Sequence, residues 1–347
     1  MKKAIAAAIR ILLLPFWAAE LLTGGKSFLD NPLIGNRWLN RRGLHAWRVR
    51  TADRLATARR ARLASRISAE DRATFDRDGF VVKRDFLPAA EFAALEAQVR
   101  AFRGDLREQV QGNTVTRRIG YSPQVAVAIP ALARLQRNSE WRGLIRYAGT
   151  FDSEPLVYVQ SIFSQSRPGP PDPQEALHSD AFHATVKAWL FLTDVGPQDS
   201  CFVYVAGSHR ATRERLAWEH VKSISMSPST DRLTGRGSFR IEESELAALG
   251  LPPPTRFAVP ANTLVVADTH GFHARQASSG PATRVEIWAY GRRNPFVPWI
   301  GADVLSSRAI ADRRIDLSWR VGDVLERFGL KKQVWRARSG TGAFDAA

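Results

Sequence analysis

Leu156-Val157-Tyr158-Val159-Gln160 is a run of β-favouring residues, and Arg167-Pro168-Gly169-Pro170-Pro171-Asp172-Pro173 soon after it is rich in turn formers. Further strand-like runs follow at 185–192, 202–205, 263–267 and 285–290. Short strands separated by Gly/Pro turns and longer loops predict a mainly β domain with flanking helices, a jelly roll or related barrel rather than alternating βαβ units.

Upstream of this region the pattern is helical. Residues 43–67 read as a basic helix in which Arg59, Arg60, Arg62 and Arg66 crowd together. Ser68, followed by Glu70 and Asp71, is a helix cap with first-turn acids. Asp78-Gly79 is a turn into a short strand at 80–82, and Pro88 opens a helix with Phe92, Leu95 and Val99 at helical spacing. The expected division is a basic amphipathic segment over 1–67, a catalytic domain over 68–302, and a basic helical extension over 303–347 with a frayed tip.

The chain has 347 residues, enough for one large domain or two smaller ones. With 44% hydrophobic and 24% charged residues it is ordinary globular material. The single cysteine, Cys201, rules out an internal disulfide and a cysteine-rich zinc site, and fits a reducing compartment. Its neighbours Phe202 and Val203 mark it as a buried thiol.

A formal charge of +16 would suggest a nucleic-acid partner if it were spread over the chain. It is not spread. Residues 1–67 hold 14 Lys and Arg against Glu20, Asp30 and Asp53, a net of +11, which leaves +5 for the other 280 residues. No specific nucleic-acid binding is expected. The appendage opens with Met1-Lys2-Lys3 and an apolar run over 4–22 that Arg10, Pro15 and Glu20 interrupt. That run is too broken to cross a bilayer and lacks a small-x-small cleavage site for a secretory signal. Leu12, Leu13, Leu14, Phe16, Trp17, Leu21 and Leu22 suit a segment lying in the membrane interface, with the arginines that follow meeting anionic lipid. The competing reading is an arm packed on its own domain or on a partner. The expected location is cytoplasmic and peripheral on the inner face of the membrane.

The chemistry concentrates at Leu177-His178-Ser179-Asp180. In extended chain, residues i and i+2 share a face, so His178 and Asp180 can offer a nitrogen and an oxygen to one metal. Two histidines and one carboxylate on one face leave three positions open on Fe(II). Far downstream lies Thr269-His270-Gly271-Phe272-His273-Ala274-Arg275, then Arg284 eleven residues past His273. Ser278-Ser279-Gly280-Pro281 reads as a turn between them, which would bring His273 and Arg284 to one pocket from neighbouring strands. An arginine there suits a carboxylate, because its planar fork bonds one bidentately.

These motifs resemble the phytanoyl-CoA dioxygenase family over about residues 78–296: the His-x-Asp of 178–180, the Gly207-Ser208-His209 triplet after Phe202-Val203-Tyr204-Val205, and His273 with Arg284 behind it. The resemblance implies a double-stranded β-helix, cupin-like in class. It implies His178, Asp180 and His273 as Fe(II) ligands and Arg284 as the 2-oxoglutarate clamp. Two positions depart from the family pattern: Ala206 stands where proline is usual, and Arg275 where a small polar residue is common.

Several neighbours compete for roles. His270 is an alternative distal ligand, with a gap of fourteen to Arg284. His183 turns to the other face and is read as a pocket or substrate contact, and His209 as structural. Trp189 and Gln160 are candidates to pack against 2-oxoglutarate, and Arg275 and Arg292 are substitutes for the clamp. The implied activity is oxidative hydroxylation of an aliphatic carbon using Fe(II), 2-oxoglutarate and O2, on a small-molecule, lipid or glycolipid substrate. Asp180 argues against the halogenating relatives, which lack that carboxylate. The alternatives are a cupin-like non-oxidative metal protein and a membrane-recruitment module with a vestigial site.

Overall fold

The computed structural model describes residues 12–227, 229–303 and 306–347. The Met1-Lys2-Lys3 start and the first part of the apolar run, through residue 11, lie outside them.

Among the described residues eleven strands carry the fold: β1 (Phe80–Lys83), β2 (Gly104–Gln111), β3 (Thr114–Gly120), β4 (Leu156–Ser164), β5 (Val186–Phe191), β6 (Phe202–Tyr204), β7 (Thr255–Phe257), β8 (Leu264–Asp268), β9 (His273–Arg275), β10 (Ala282–Gly291) and β11 (Arg336–Thr341). Eight form one antiparallel sheet in the order β1-β8-β5-β10-β4-β3-β2-β11, and three form a second in the order β7-β6-β9. This is the double-stranded β-helix expected of a jelly roll, with helices flanking it.

Alternation along β10 separates two environments. Val285, Ile287 and Ala289 face outward into a core shared with helices, where they meet Leu95 and Val99 of Ala89–Ala101 and Trp141 and Leu144 of Ser139–Gly149. Arg284, Glu286 and Trp288 face inward. Trp288 pairs with Tyr158 on one side and Trp189 on the other. These rings join Phe202 and Phe257 of the small sheet in a second core that holds the two sheets together. The helix caps are those the sequence signals: Ser68 accepts a hydrogen bond from the Asp71 amide, and Gly79 ends that helix at φ +85°.

Both ends differ from expectation. The helix Leu44–Leu63 is built into the domain. Its Arg59 is buried and donates to the carbonyls of Thr150, Pro295 and Val297, and Arg48 is buried and donates to those of Leu21, Thr23 and Gly25. Arg62 donates to the Pro298 carbonyl, and Arg66 pairs with Asp152. The arginines read as lipid-facing are thus engaged by protein carbonyls and carboxylates. At the other end, Arg314–Arg327 is helical, but β11 pairs with β2 at the edge of the large sheet. The tip is pinned rather than frayed: Arg117 donates to the carbonyls of Gly342, Asp345 and Ala346, and Ala343 is buried. An exposed edge strand needs no apolar face, so Arg336-Ala337-Arg338-Ser339-Gly340-Thr341 carries no alternation by which to recognise it.

Candidate active site

His178 and His273 are neighbours across the small sheet. Each backbone amide donates to the other's carbonyl, at 3.0 and 2.9 Å, so His178 forms a one-residue antiparallel bridge alongside β9. Asp180 is held by its amide donating to the Thr269 carbonyl at 2.9 Å. The Nδ1 atoms of His178 and His273 lie 2.8 and 2.9 Å from the carbonyls of Ala176 and Gly271. A carbonyl only accepts, so each Nδ1 carries the proton and each Nε2 presents its lone pair to the cluster. Those two Nε2 atoms lie 3.8 and 3.6 Å from Asp180 Oδ1. One donor atom from each residue falls within 4.8 Å of the others, a cluster able to hold a metal ion.

Electrostatics favour the ligating protonation states. Burial, with His273 adding to it, lowers the His178 pKa to about 3, so its imidazole is neutral at physiological pH. Burial alone would raise the Asp180 carboxyl, but Lys187 and His273 outweigh it and hold the group well below the usual carboxylate range. Lys187 Nζ stands 2.7 Å from Asp180 Oδ2 and 3.4 Å from His273 Nε2. Lys26, from the N-terminal segment, donates to the Asp180 carbonyl.

The cluster opens into a cavity of about 240 Å³ between the two sheets, lined also by Gln160, Trp189, Arg275 and Arg284. His273 and Arg284 therefore meet in one cavity, though not from neighbouring strands. β9 belongs to the small sheet and β10 to the large one, so they face each other across the gap. Arg284 donates to the Ser200 carbonyl, and its Nε lies 2.8 Å from Glu286 Oε2. Gln160 continues the row, donating to Glu286 at 2.7 Å and accepting from Arg118 Nε at 2.7 Å. Trp189 packs against Phe202 with ring centroids 4.1 Å apart and the planes tilted by 32°.

The competing residues separate. His270 points its Nδ1 at the Ala181 carbonyl, 2.8 Å away, and is absent from the cluster. His183 does not line the cavity, contrary to its reading as a pocket contact; it is buried, with Nδ1 2.9 Å from the Ala184 carbonyl and Gly24 of the N-terminal segment packed beside its Nε2. His209 is buried against Phe75, and Cys201 is a buried thiol that donates to Gln276. Arg275 lines the cavity but is ion-paired with buried Asp172, and Arg292 lies outside it, donating to the Gly24 carbonyl.

Lys187, Glu286 and Arg118 escaped the sequence reading. The first two stand two residues from singled-out positions, Trp189 and Arg284, and the strand period puts them on the same face. Arg118 lies on a strand the sequence did not disclose.

Residues 75–227 match the family model described as Phytanoyl-CoA dioxygenase (PhyH). That stretch is thus similar to the phytanoyl-CoA dioxygenase family. The match includes His178 and Asp180, while His273 and Arg284 lie beyond it. Among solved structures, the chain is similar to HygX from Streptomyces hygroscopicus with nickel and 2-oxoglutarate bound, at 17% identity over 65% of this chain and 87% of that one, with a TM-score of 0.42. It is also similar to the α-ketoglutarate-dependent carbocyclase SnoK of nogalamycin biosynthesis, at 20% identity over 67% and 85% with a TM-score of 0.41. The epimerase SnoN of the same biosynthesis is 18% identical over 72% and 93%, with a TM-score of 0.40. No curated protein matches the chain.

Proposed function

We propose that this chain is a member of the phytanoyl-CoA dioxygenase family and an Fe(II)- and 2-oxoglutarate-dependent hydroxylase acting on an aliphatic carbon of a small or lipid-linked substrate. The observation that carries the reading is the approach of His178 Nε2, His273 Nε2 and Asp180 Oδ1 at the wall of a cavity that also holds Arg284. Two imidazoles and a carboxylate suit Fe(II) and leave positions for co-substrate and oxygen. Bound there, Fe(II) with 2-oxoglutarate would supply O2 activation, the oxidising power coming from decarboxylation of 2-oxoglutarate to succinate.

The protein's own part is orientation and exclusion of water. The Ala176 and Gly271 carbonyls fix the two imidazole tautomers. Lys187 engages Asp180 Oδ2, which leaves Oδ1 turned toward the histidines. Arg284 is the cation for the distal carboxylate of 2-oxoglutarate, with Trp189 and Gln160 as walls. At about 240 Å³ the cavity falls below the usual range for a drug-sized ligand, so it admits the reacting end of a large substrate rather than the whole. Succinate formation from 2-oxoglutarate by the full chain with added Fe(II), abolished by Asp180→Ala, tests the assignment. A wild-type protein that binds metal yet never consumes 2-oxoglutarate would leave the cupin-like non-oxidative alternative.

We also propose that the N-terminal segment rests on an anionic membrane surface. No helix of the described residues is long and apolar enough to cross a membrane. Leu12 and Phe16 are 72% and 71% exposed, and Leu14, Leu22 and Leu29 are exposed as well. Such side chains near a terminus favour the interface of a bilayer.

A further inference from the structure

Four cationic side chains line the cavity: Arg118, Lys187, Arg275 and Arg284. Three of them have a carboxylate in contact. Lys187 meets Asp180 at 2.7 Å, Arg284 meets Glu286 at 2.8 Å, and Arg275 is paired with Asp172. Among the described residues, no carboxylate forms an ion pair with Arg118. On the preceding reading of the site, a divalent cation and the 2-oxoglutarate dianion cancel each other's charge. Arg118 is then the cation left over.

Its surroundings restrict what can satisfy it. The guanidinium carbon stands 4.0 Å from the ring centre of Trp288, 4.6 Å from that of Trp335 and 5.0 Å from that of Tyr158. Aromatic rings packed over a guanidinium cover its faces and leave the N–H edge as the place to bind. Nε is already taken by the Gln160 side chain at 2.7 Å, which fixes the direction of the remaining donors. Burial lowers the Arg118 pKa only to about 10, so it stays charged at neutral pH. A desolvated, oriented guanidinium is matched best by a planar carboxylate or a phosphate, which accept two parallel hydrogen bonds.

We propose that Arg118 is a substrate-recognition residue and that the substrate carries an anionic group, a carboxylate or a phosphate, next to an apolar portion that packs on Trp288 and Trp335. This rests on the oxygenase reading of the cavity, and the experiment keeps the two apart. Hexanoate, hexyl phosphate, hexanol and hexylammonium are titrated calorimetrically into the full chain loaded with Mn(II) and saturating 2-oxoglutarate, using wild type, Arg118→Gln and Arg118→Lys. One of the two anions should bind saturably, and which one binds tells carboxylate from phosphate. The alcohol and the ammonium should bind at least tenfold more weakly. Arg118→Gln should weaken the anion tenfold or more, Arg118→Lys should recover part of that loss, and 2-oxoglutarate affinity should stay within about threefold of wild type. Equal binding of hexanol and the anions, or anion binding indifferent to Arg118→Gln, overturns the proposal. So does a large loss of 2-oxoglutarate affinity in Arg118→Gln, which would make Arg118 part of the co-substrate clamp. If wild type binds neither Mn(II) nor 2-oxoglutarate but still separates anion from alcohol through Arg118, the oxygenase reading fails and the anion site stands.

Discussion

Arg60 and Asp268 are 208 residues apart in the chain, and their side chains meet at 2.6 Å. The carboxylate that Arg60 grips also accepts hydrogen bonds, through Oδ1, from the amides of Thr185 and His270. Asp268 thereby joins the N-terminal helix, the start of β5 and the loop that leads into His273. Geometry at the metal cluster depends on a segment that composition alone would set aside as an appendage.

A chain beginning at Ser68 should therefore fail to fold as a stable monomer, because it loses Leu63 from the main core and leaves Asp268 buried without its cation. The point substitution Arg60→Met should cost about 3 kcal/mol by urea denaturation, in the range for breaking a buried pair. A soluble, cooperatively unfolding 68–347 fragment would show that the helix is dispensable.

His178→Ala, Asp180→Ala and His273→Ala should each weaken Fe(II) or Mn(II) binding by about two orders of magnitude or more and abolish 2-oxoglutarate turnover. His270→Ala should keep its metal affinity within a few-fold, since its Nδ1 is committed to the Ala181 carbonyl. Metal titration of the four variants decides between the two distal histidines.

Arg284→Ala should leave metal binding intact and raise the KM for 2-oxoglutarate at least tenfold, with Arg284→Lys recovering only part. Glu286→Gln is the informative companion. It removes the negative charge at 2.8 Å from Arg284 and should tighten 2-oxoglutarate. A weaker co-substrate affinity in Glu286→Gln would mean that the carboxylate serves to orient the arginine rather than to compete for it.

Burial lowers the His209 pKa to about 3, below the value near 6.5 of a free histidine. Between those two values the unfolded chain takes up a proton that the folded chain refuses. The stability this residue confers is complete above pH 6.5 and is lost as the pH falls toward 3, at about 1.4 kcal/mol per pH unit. Urea unfolding at pH 7, 6 and 5 should show the decline, and His209→Gln should make it shallower by about that amount. An unchanged slope would mean that His209 is protonated in the folded protein.

Replacing Leu12, Leu13 and Phe16 together by serine should reduce co-sedimentation with anionic vesicles severalfold while leaving 2-oxoglutarate turnover within about twofold, since none of the three lines the cavity. Wild-type protein that stays in the supernatant at low salt would refute the membrane reading.

Much of this was legible in the sequence where a strand is buried on both faces. β4, β5, β8 and β10 announce themselves as apolar runs because one side packs on helices and the other on the opposite sheet, and β6 because all three of its residues are buried in the core between the sheets. β2 and β3 did not, since Arg107, Glu108, Arg117 and Arg118 interrupt any apolar rhythm. Arg117 is satisfied by Glu108 and the Gly342 carbonyl, and Arg107 by Asp323 and the Trp335 carbonyl, and pairing across such distances leaves no local trace. The metal cluster was visible as two spaced motifs. Arg284 and Arg275 were visible behind His273, whereas Lys187 and Arg118 were not, because their partners Asp180 and Gln160 come from other segments of the chain.

In the large sheet β10 lies between β5 and β4, although it follows both in the chain by about a hundred residues or more. Until residues 282–291 arrive, those two strands have an open lane between them and the sheet is two unjoined halves. A nascent chain emerging from the ribosome would thus hold β4 and β5 with exposed ladder edges for the time needed to make residues 192–291, about 5–20 seconds at about 5–20 residues per second. Folding is then a single late event keyed to one strand. A slow codon or a charged substitution in β10 should harm the yield of soluble protein more than the same change in β1 or β11.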